Sequence, residues 1–71
     1  MELTIVNKFS AGFAVVKKSE YSLDELLKEV KKIKGVIRID DEDGSEDWYV
    51  HGGSREAVER IFRHFGHKLL H

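Results

Sequence analysis

Two segments of this chain are built to one plan, and together they limit the folds open to it. In SLDELLKEVKKIKG, residues 22–35, Ser22 and Glu25 stand as a capping box, each side chain satisfying a backbone amide at a helix start. Leu23, Leu26, Leu27, Val30 and Ile33 recur at the 3.6-residue period, and Gly35 supplies a left-handed stop. Lys28, Lys31, Lys32 and Lys34 fill the other face and suit the negative end of the helix dipole. In GSREAVERIFRHFGH, residues 53–67, Ser54 is the N-cap and Glu56 favours the positive end. Ala57, Val58, Ile61, Phe62 and Phe65 make its apolar stripe, which Gly66 ends. Each stripe has to be buried against something. Between the helices lie VIRID and DWYVHG, which alternate as half-buried strands around an acidic turn with Gly44 at its bend.

The pattern predicts an α+β domain in which two helices cover one face of an antiparallel sheet. LTIV and FAVV, around NKFSAG, are further strand candidates before the first helix, and HKLLH after Gly66 is another. The sheet is therefore expected to have four or five strands, in a ferredoxin-like two-layer sandwich. A shift of 31 residues superimposes Leu27 on Val58, Val30 on Ile61 and Gly35 on Gly66, which makes a tandem hairpin–helix repeat the alternative. The expected core is Ile5, Phe13, Val15, Leu23, Leu27, Val30, Ile33, Ile37, Ile39, Val50, Val58, Ile61, Phe62 and Phe65.

A chain of 71 residues holds one domain, residues 1–71. It has no cysteine, which excludes disulfides, thiolate metal sites and cysteine nucleophiles. No apolar run approaches the length of a membrane span and no signal peptide is visible, so a cytoplasmic protein is expected. The net charge of −1 favours neither strong attraction to nucleic acid nor strong repulsion from it. That average conceals a division, because residues 40–47 carry six of the 13 acids and no base. Pro, Cys and Gln are absent and Asn7 is the single Asn, beside many Lys and Glu. That bias is thermophilic, and engineered sequences share it.

The acidic run IDDEDGSEDWYVHGG, residues 39–53, fails as a calcium loop. With Gly44 at the sixth position, Asp43 and Asp41 fit, but Ile39 and Val50 occupy the first and twelfth, where oxygen ligands belong. A solvated hairpin whose charge keeps the sheet from pairing with neighbours is the simpler reading. His51, His64, His67 and His71 match no common zinc spacing, so no metal and no cofactor are expected. The serines Ser10, Ser19, Ser22, Ser45 and Ser54 sit at turn or cap positions, so no Ser-His-Asp constellation is argued. In HGGS, residues 51–54, the amides of a helix start can hold an anion, although the Lys of a phosphate-binding loop is missing.

Residues 30–70, VKKIKGVIRIDDEDGSEDWYVHGGSREAVERIFRHFGHKLL, resemble the later part of heavy-metal-associated domains. The similar features are Gly35-Val36 opening a strand and a closing helix that runs into FGHKLL. The resemblance implies a βαββαβ fold. The Cys-x-x-Cys of that family has no counterpart in VVKKSEYSLDEL, so its metal function is not carried over to any residue. Residues 37–65, beginning IRIDDEDGSEDWYVHGGSREAVERIF, resemble the closing strands and helix of K-homology RNA-binding domains. The Gly-x-x-Gly loop of that family is absent before the first helix.

The sequence thus predicts a non-enzymatic binding or regulatory module with no small-molecule substrate and no membrane partner. A protein partner or a second copy is expected on the open sheet face or edge, with Tyr49 and His51 as the contacts. The alternative is nucleic-acid binding, particularly RNA, through Lys31, Lys32 and Arg60 with Gly52, Gly53 and Ser54. A scaffold engineered without a natural function is a further alternative.

Overall fold

The computed structural model describes residues 10–66. The elements run β1 (Gly12–Lys17), α1 (Leu23–Val30), β2 (Val36–Asp40), β3 (Asp47–Gly52) and α2 (Arg55–Phe65). Among the described residues the sheet has three strands in the order β1-β3-β2, and β3 is antiparallel to both neighbours. Thus β1 and β2 are parallel to each other, and α1 makes the crossover that such a pair requires. VIRID and DWYVHG coincide with β2 and β3, and FAVV lies within β1. LTIV with Ile5, and HKLLH, lie outside the described residues.

Both helices contribute to one core, made of Ala14, Val16, Trp48 and Val50 from the sheet with Leu26, Val30, Ile33, Ile61 and Phe65. The strand pairing accounts for the sheet's share. Ala14 lies opposite Val50 and Val16 opposite Trp48, so alternate residues of β1 and β3 point to the helices together. Trp48 is held further by its Nε1–H, which donates to the Tyr21 carbonyl at 3.1 Å. The Lys18 ammonium stands 4.8 Å from its ring centre.

Two expected core residues are on the surface, since Phe13 and Leu23 are each 46% exposed. GFAVVK is apolar at both parities, so its pattern does not choose a face, and the register turns Phe13 and Val15 away from the helices. Val15 is nonetheless buried. Leu23 opens α1 on its exposed side, and Leu26 is fully buried instead. Leu27 is only half-buried.

The first helix also ends earlier than its periodicity predicts. After Val30 the backbone tightens into three-residue turns, with Lys32 N–H donating to the Glu29 carbonyl and Ile33 N–H to that of Val30. Ile33 stays buried because three residues still return it to the core side. At Gly35 φ is +100°, and a Cβ placed there would lie 2.5 Å from Ala57 Cβ on α2. At Gly52 a Cβ would meet the Val58 amide nitrogen at 2.9 Å. These two glycines let the start of α2 seat directly on the ends of the strands.

In β2 the register slips between Val36, opposite Gly52, and Arg38, opposite His51. Ile37 is the residue left over, a β-bulge that lets a buried side chain and Arg38 follow one another. Beyond β2 the acidic turn closes with Ser45 N–H on the Glu42 carbonyl, and φ is +79° at Gly44. Asp41, Glu42, Asp43 and Glu46 are exposed there.

Truncating Leu26 or Ile61 to Ala is expected to cost about 2–5 kcal/mol, whereas Leu23→Ala should stay within about 0.5 kcal/mol. Urea midpoints of the three variants check the ranking, and an equal loss at Leu23 and Leu26 would contradict this assignment of the helix face.

Candidate functional site

The sheet face turned away from the helices carries the first candidate site. Phe13 and Val15 of β1, Tyr49, His51 and Asp47 of β3, and Arg38 and Asp40 of β2 share it by register. No described element packs on this face. Phe13 meets Tyr49 edge-on at 5.6 Å between ring centres and lies 5.2 Å from the His51 ring. Tyr49 and His51, the two contacts expected from sequence, therefore do stand side by side here. His51 is not an exposed histidine, however, since only 7% of it reaches solvent.

Of its two ring nitrogens, one has a hydrogen-bond partner. His51 Nδ1 shares a 2.8 Å hydrogen bond with Ser10 Oγ, its direction set by the ring tautomer. On its other side Nε2 lies 2.7 Å from Asp40 Oδ2 without making a hydrogen bond. Arg38 Nε is likewise 3.3 Å from Asp40 Oδ1 without hydrogen-bond alignment. The row Ser10–His51–Asp40 thus sets side chains of the segment before β1, the middle strand and β2 in contact across the open face, with the hydrogen bond on the Ser10 side. No sequence spacing revealed it, because its members are brought together only by pairing on both sides of β3.

A serine, a histidine and a carboxylate are the groups of a hydrolytic triad, so their roles need stating. Ser10 Oγ donates to the Gly12 carbonyl at 3.0 Å and accepts from the Gly12 amide at 3.2 Å. The hydroxyl is shared between its own turn and the ring, and the carboxylate stands at Nε2 while the serine stands at Nδ1, the reverse of the order in a triad. This geometry is a clasp. Ser45 does similar local work, its Oγ accepting from Asp47 N–H at 3.1 Å and lying 3.3 Å from the Tyr49 hydroxyl.

The second candidate lies between the end of α1 and the outer side of α2. Lys32, Ile33, Arg60, Arg63 and His64 line a cleft of about 300 Å³. Of the residues expected to bind phosphate, Lys32 and Arg60 meet here, and Lys31 instead lines a separate hollow with Asp24, Leu27 and Lys28. Within HGGS, the Gly53 amide and the Ser54 hydroxyl are engaged inside the chain. Gly53 N–H donates to the Gly35 carbonyl at 2.9 Å, and Ser54 Oγ accepts from Ala57 N–H at 3.1 Å as the helix cap. Gly52 is buried beneath Val58.

Glu29 joins the two helices at the rim of this cleft. Its carboxylate holds His64 Nε2 at 2.8 Å and Lys32 Nζ at 3.3 Å. Those contacts, His64 first, hold its pKa below the ordinary value. Glu25, bonded to the Ser22 amide and hydroxyl in the capping box, is lowered in the same direction.

No protein-family model, no curated protein and no solved structure matches this chain. No helix among the described residues is long and apolar enough to cross a membrane.

A carboxyl whose folded pKa is depressed adds stability above its unfolded pKa, and that stability is lost as pH falls through the folded value. Glu29→Gln should therefore be less stable than the parent above the ordinary value of 4.5, with the gap closing at more acid pH. Denaturant melts across that range check this, and a gap independent of pH would contradict the role given to Glu29.

Proposed function

We propose that this chain is a non-enzymatic binding module that associates with a second copy of itself through the open sheet face. One observation carries the reading. Phe13, a large apolar ring 46% exposed, is braced edge-on by Tyr49 beside it on a face that no described element covers. A braced ring loses little side-chain entropy when it is covered, which suits an anchor at an interface.

The charges around it support a copy of the same chain rather than a polyanion. Lys17 and Arg38 share the face with Asp40 and Asp47, two of each sign, so a symmetric pairing can set cation against carboxylate. With the two signs balanced, the face has no net positive charge to draw a nucleic-acid backbone onto the sheet. Three strands about 4.8 Å apart and six residues at about 3.4 Å each present a small face, short of the roughly 800 Å² per partner of a standard interface. The association is accordingly weak and concentration-dependent.

For the fold we propose the ferredoxin-like layout. The order β1-β3-β2 with both helices on one side supports it, and the outer edge of β1 is where that layout puts a fourth strand.

Sedimentation equilibrium over a wide concentration range tests the association. The expected result is a monomer–dimer equilibrium that Phe13→Asp abolishes without changing the circular dichroism. A chain that stays monomeric to about millimolar concentration, where even a −4 kcal/mol interaction would show, contradicts the proposal.

A further inference from the structure

The cleft between the helices has a charge that the association of sheet faces does not use. Three cations, Lys32, Arg60 and Arg63, line it, over the buried side chain of Ile33. Lys32 shares Glu29 with His64, but among the described residues neither Arg60 nor Arg63 is in an ion pair. The lining itself holds three cations and no carboxylate, and Glu29 at the rim is paired with one of them.

Arg60 is also fixed in place. Its Nε donates to the Lys34 carbonyl at 2.9 Å, which uses the inner edge of the guanidinium and leaves both Nη groups for another partner. The absence of a Cβ at Gly35 accommodates it, for a Cβ there would come within 3.3 Å of Nη2. A guanidinium already held by the backbone loses less freedom when it binds. Arg63 follows one turn later on the same side of α2, so the two arginines converge on one hollow rather than forming a track.

We infer that this cleft binds a single phosphate monoester dianion, whose two charges face the guanidinium groups of Arg60 and Arg63 with Lys32 beside them. An arginine fork matches the oxygens of a phosphoryl group in pairs, which a simple carboxylate satisfies only once. The hollow, about 300 Å³, is open to solvent, so the phosphoryl group is what it recognises and a substituent on the ester projects outward. Glu29 sets the affinity from the rim. It draws on Lys32 and His64, and a bound dianion has to compete with it.

Amide-resolved NMR titration tests this at about pH 7.5, where a phosphomonoester is mostly dianionic. Inorganic phosphate and phosphoserine are the probes, with sodium chloride and acetate at matched ionic strength and a single-stranded oligonucleotide as comparisons. Saturable shifts at Lys32, Ile33, Arg60, Arg63 and His64 are expected with both phosphate probes. Arg63→Gln, at an exposed position, should weaken binding about tenfold, as the loss of one charge-assisted contact implies. Glu29→Gln should tighten it, which a merely structural role for Glu29 would not produce. No saturable shift, equal binding of acetate, or unchanged affinity in Arg63→Gln overturns the assignment. An oligonucleotide that binds more tightly than phosphoserine, with a salt dependence of several phosphates, overturns it in favour of a polyanion track.

Discussion

β3 lies between the other two strands, so the direction of each of its side chains is shared with partners on both sides. Trp48 and Val50 turn to the helices, and Val16, Ala14 and Ile39 opposite them turn the same way. Tyr49 and His51 turn out, and Phe13, Arg38 and Asp40 turn out with them. Because the side-chain period of a strand is two, a slip of one residue would exchange these two sets completely. The core, the clasp and the aromatic face therefore follow from one choice of parity, and no part can be altered alone. The wrong parity would place Asp47, Tyr49 and His51 against the apolar stripes of α1 and α2, where their polar groups would lack partners.

Seating of α2 is the second constraint, and it links the core to the cleft. Gly35 and Gly52 let Ala57 and Val58 approach the strand ends closely. With its first turn so placed, the helix carries Ile61 and Phe65 over the core while Arg60 and Arg63 face the end of α1. The Arg60 bond to the Lys34 carbonyl and the His64 contact with Glu29 then join the helices at the surface. Exposed links of this kind add little stability individually. Their consequence lies in holding charged groups at fixed positions.

How much of this could be read from the chain varies with the range of the interaction. The capping box, the Ser54 cap and the bounds of β2 and β3 were legible because each is decided by residues near in sequence. The burial of Val30, Ile33, Ile61 and Phe65 was legible for the same reason, as helical periodicity is local. β1 was legible as a strand, but its parity was not, since GFAVVK offers apolar residues to both faces. Only its pairing with β3 decides between Phe13 and Ala14. The end of α1 was overestimated because KKIKG continues the periodicity while the backbone changes to three-residue turns. That Tyr49 and His51 share a sheet face was legible from alternation, whereas the burial of His51 and the separation of Lys31 from Lys32 and Arg60 were not. Ser10 and Asp40 at His51, and Arg63 in the cleft, needed the assembled chain, being set by strand register and helix seating.

The parity of β3 has a direct optical reporter, because Trp48 is the single tryptophan. It is 7% exposed, packed in the core with its indole N–H on the Tyr21 carbonyl. Steady-state fluorescence with iodide as quencher reads its surroundings without any substitution. Blue-shifted emission and weak quenching are expected in the folded chain, both reversed on unfolding. Red-shifted emission with free quenching in a chain that circular dichroism shows to be folded would contradict this parity, since Trp48 would then lie on the outer face and Tyr49 and His51 within.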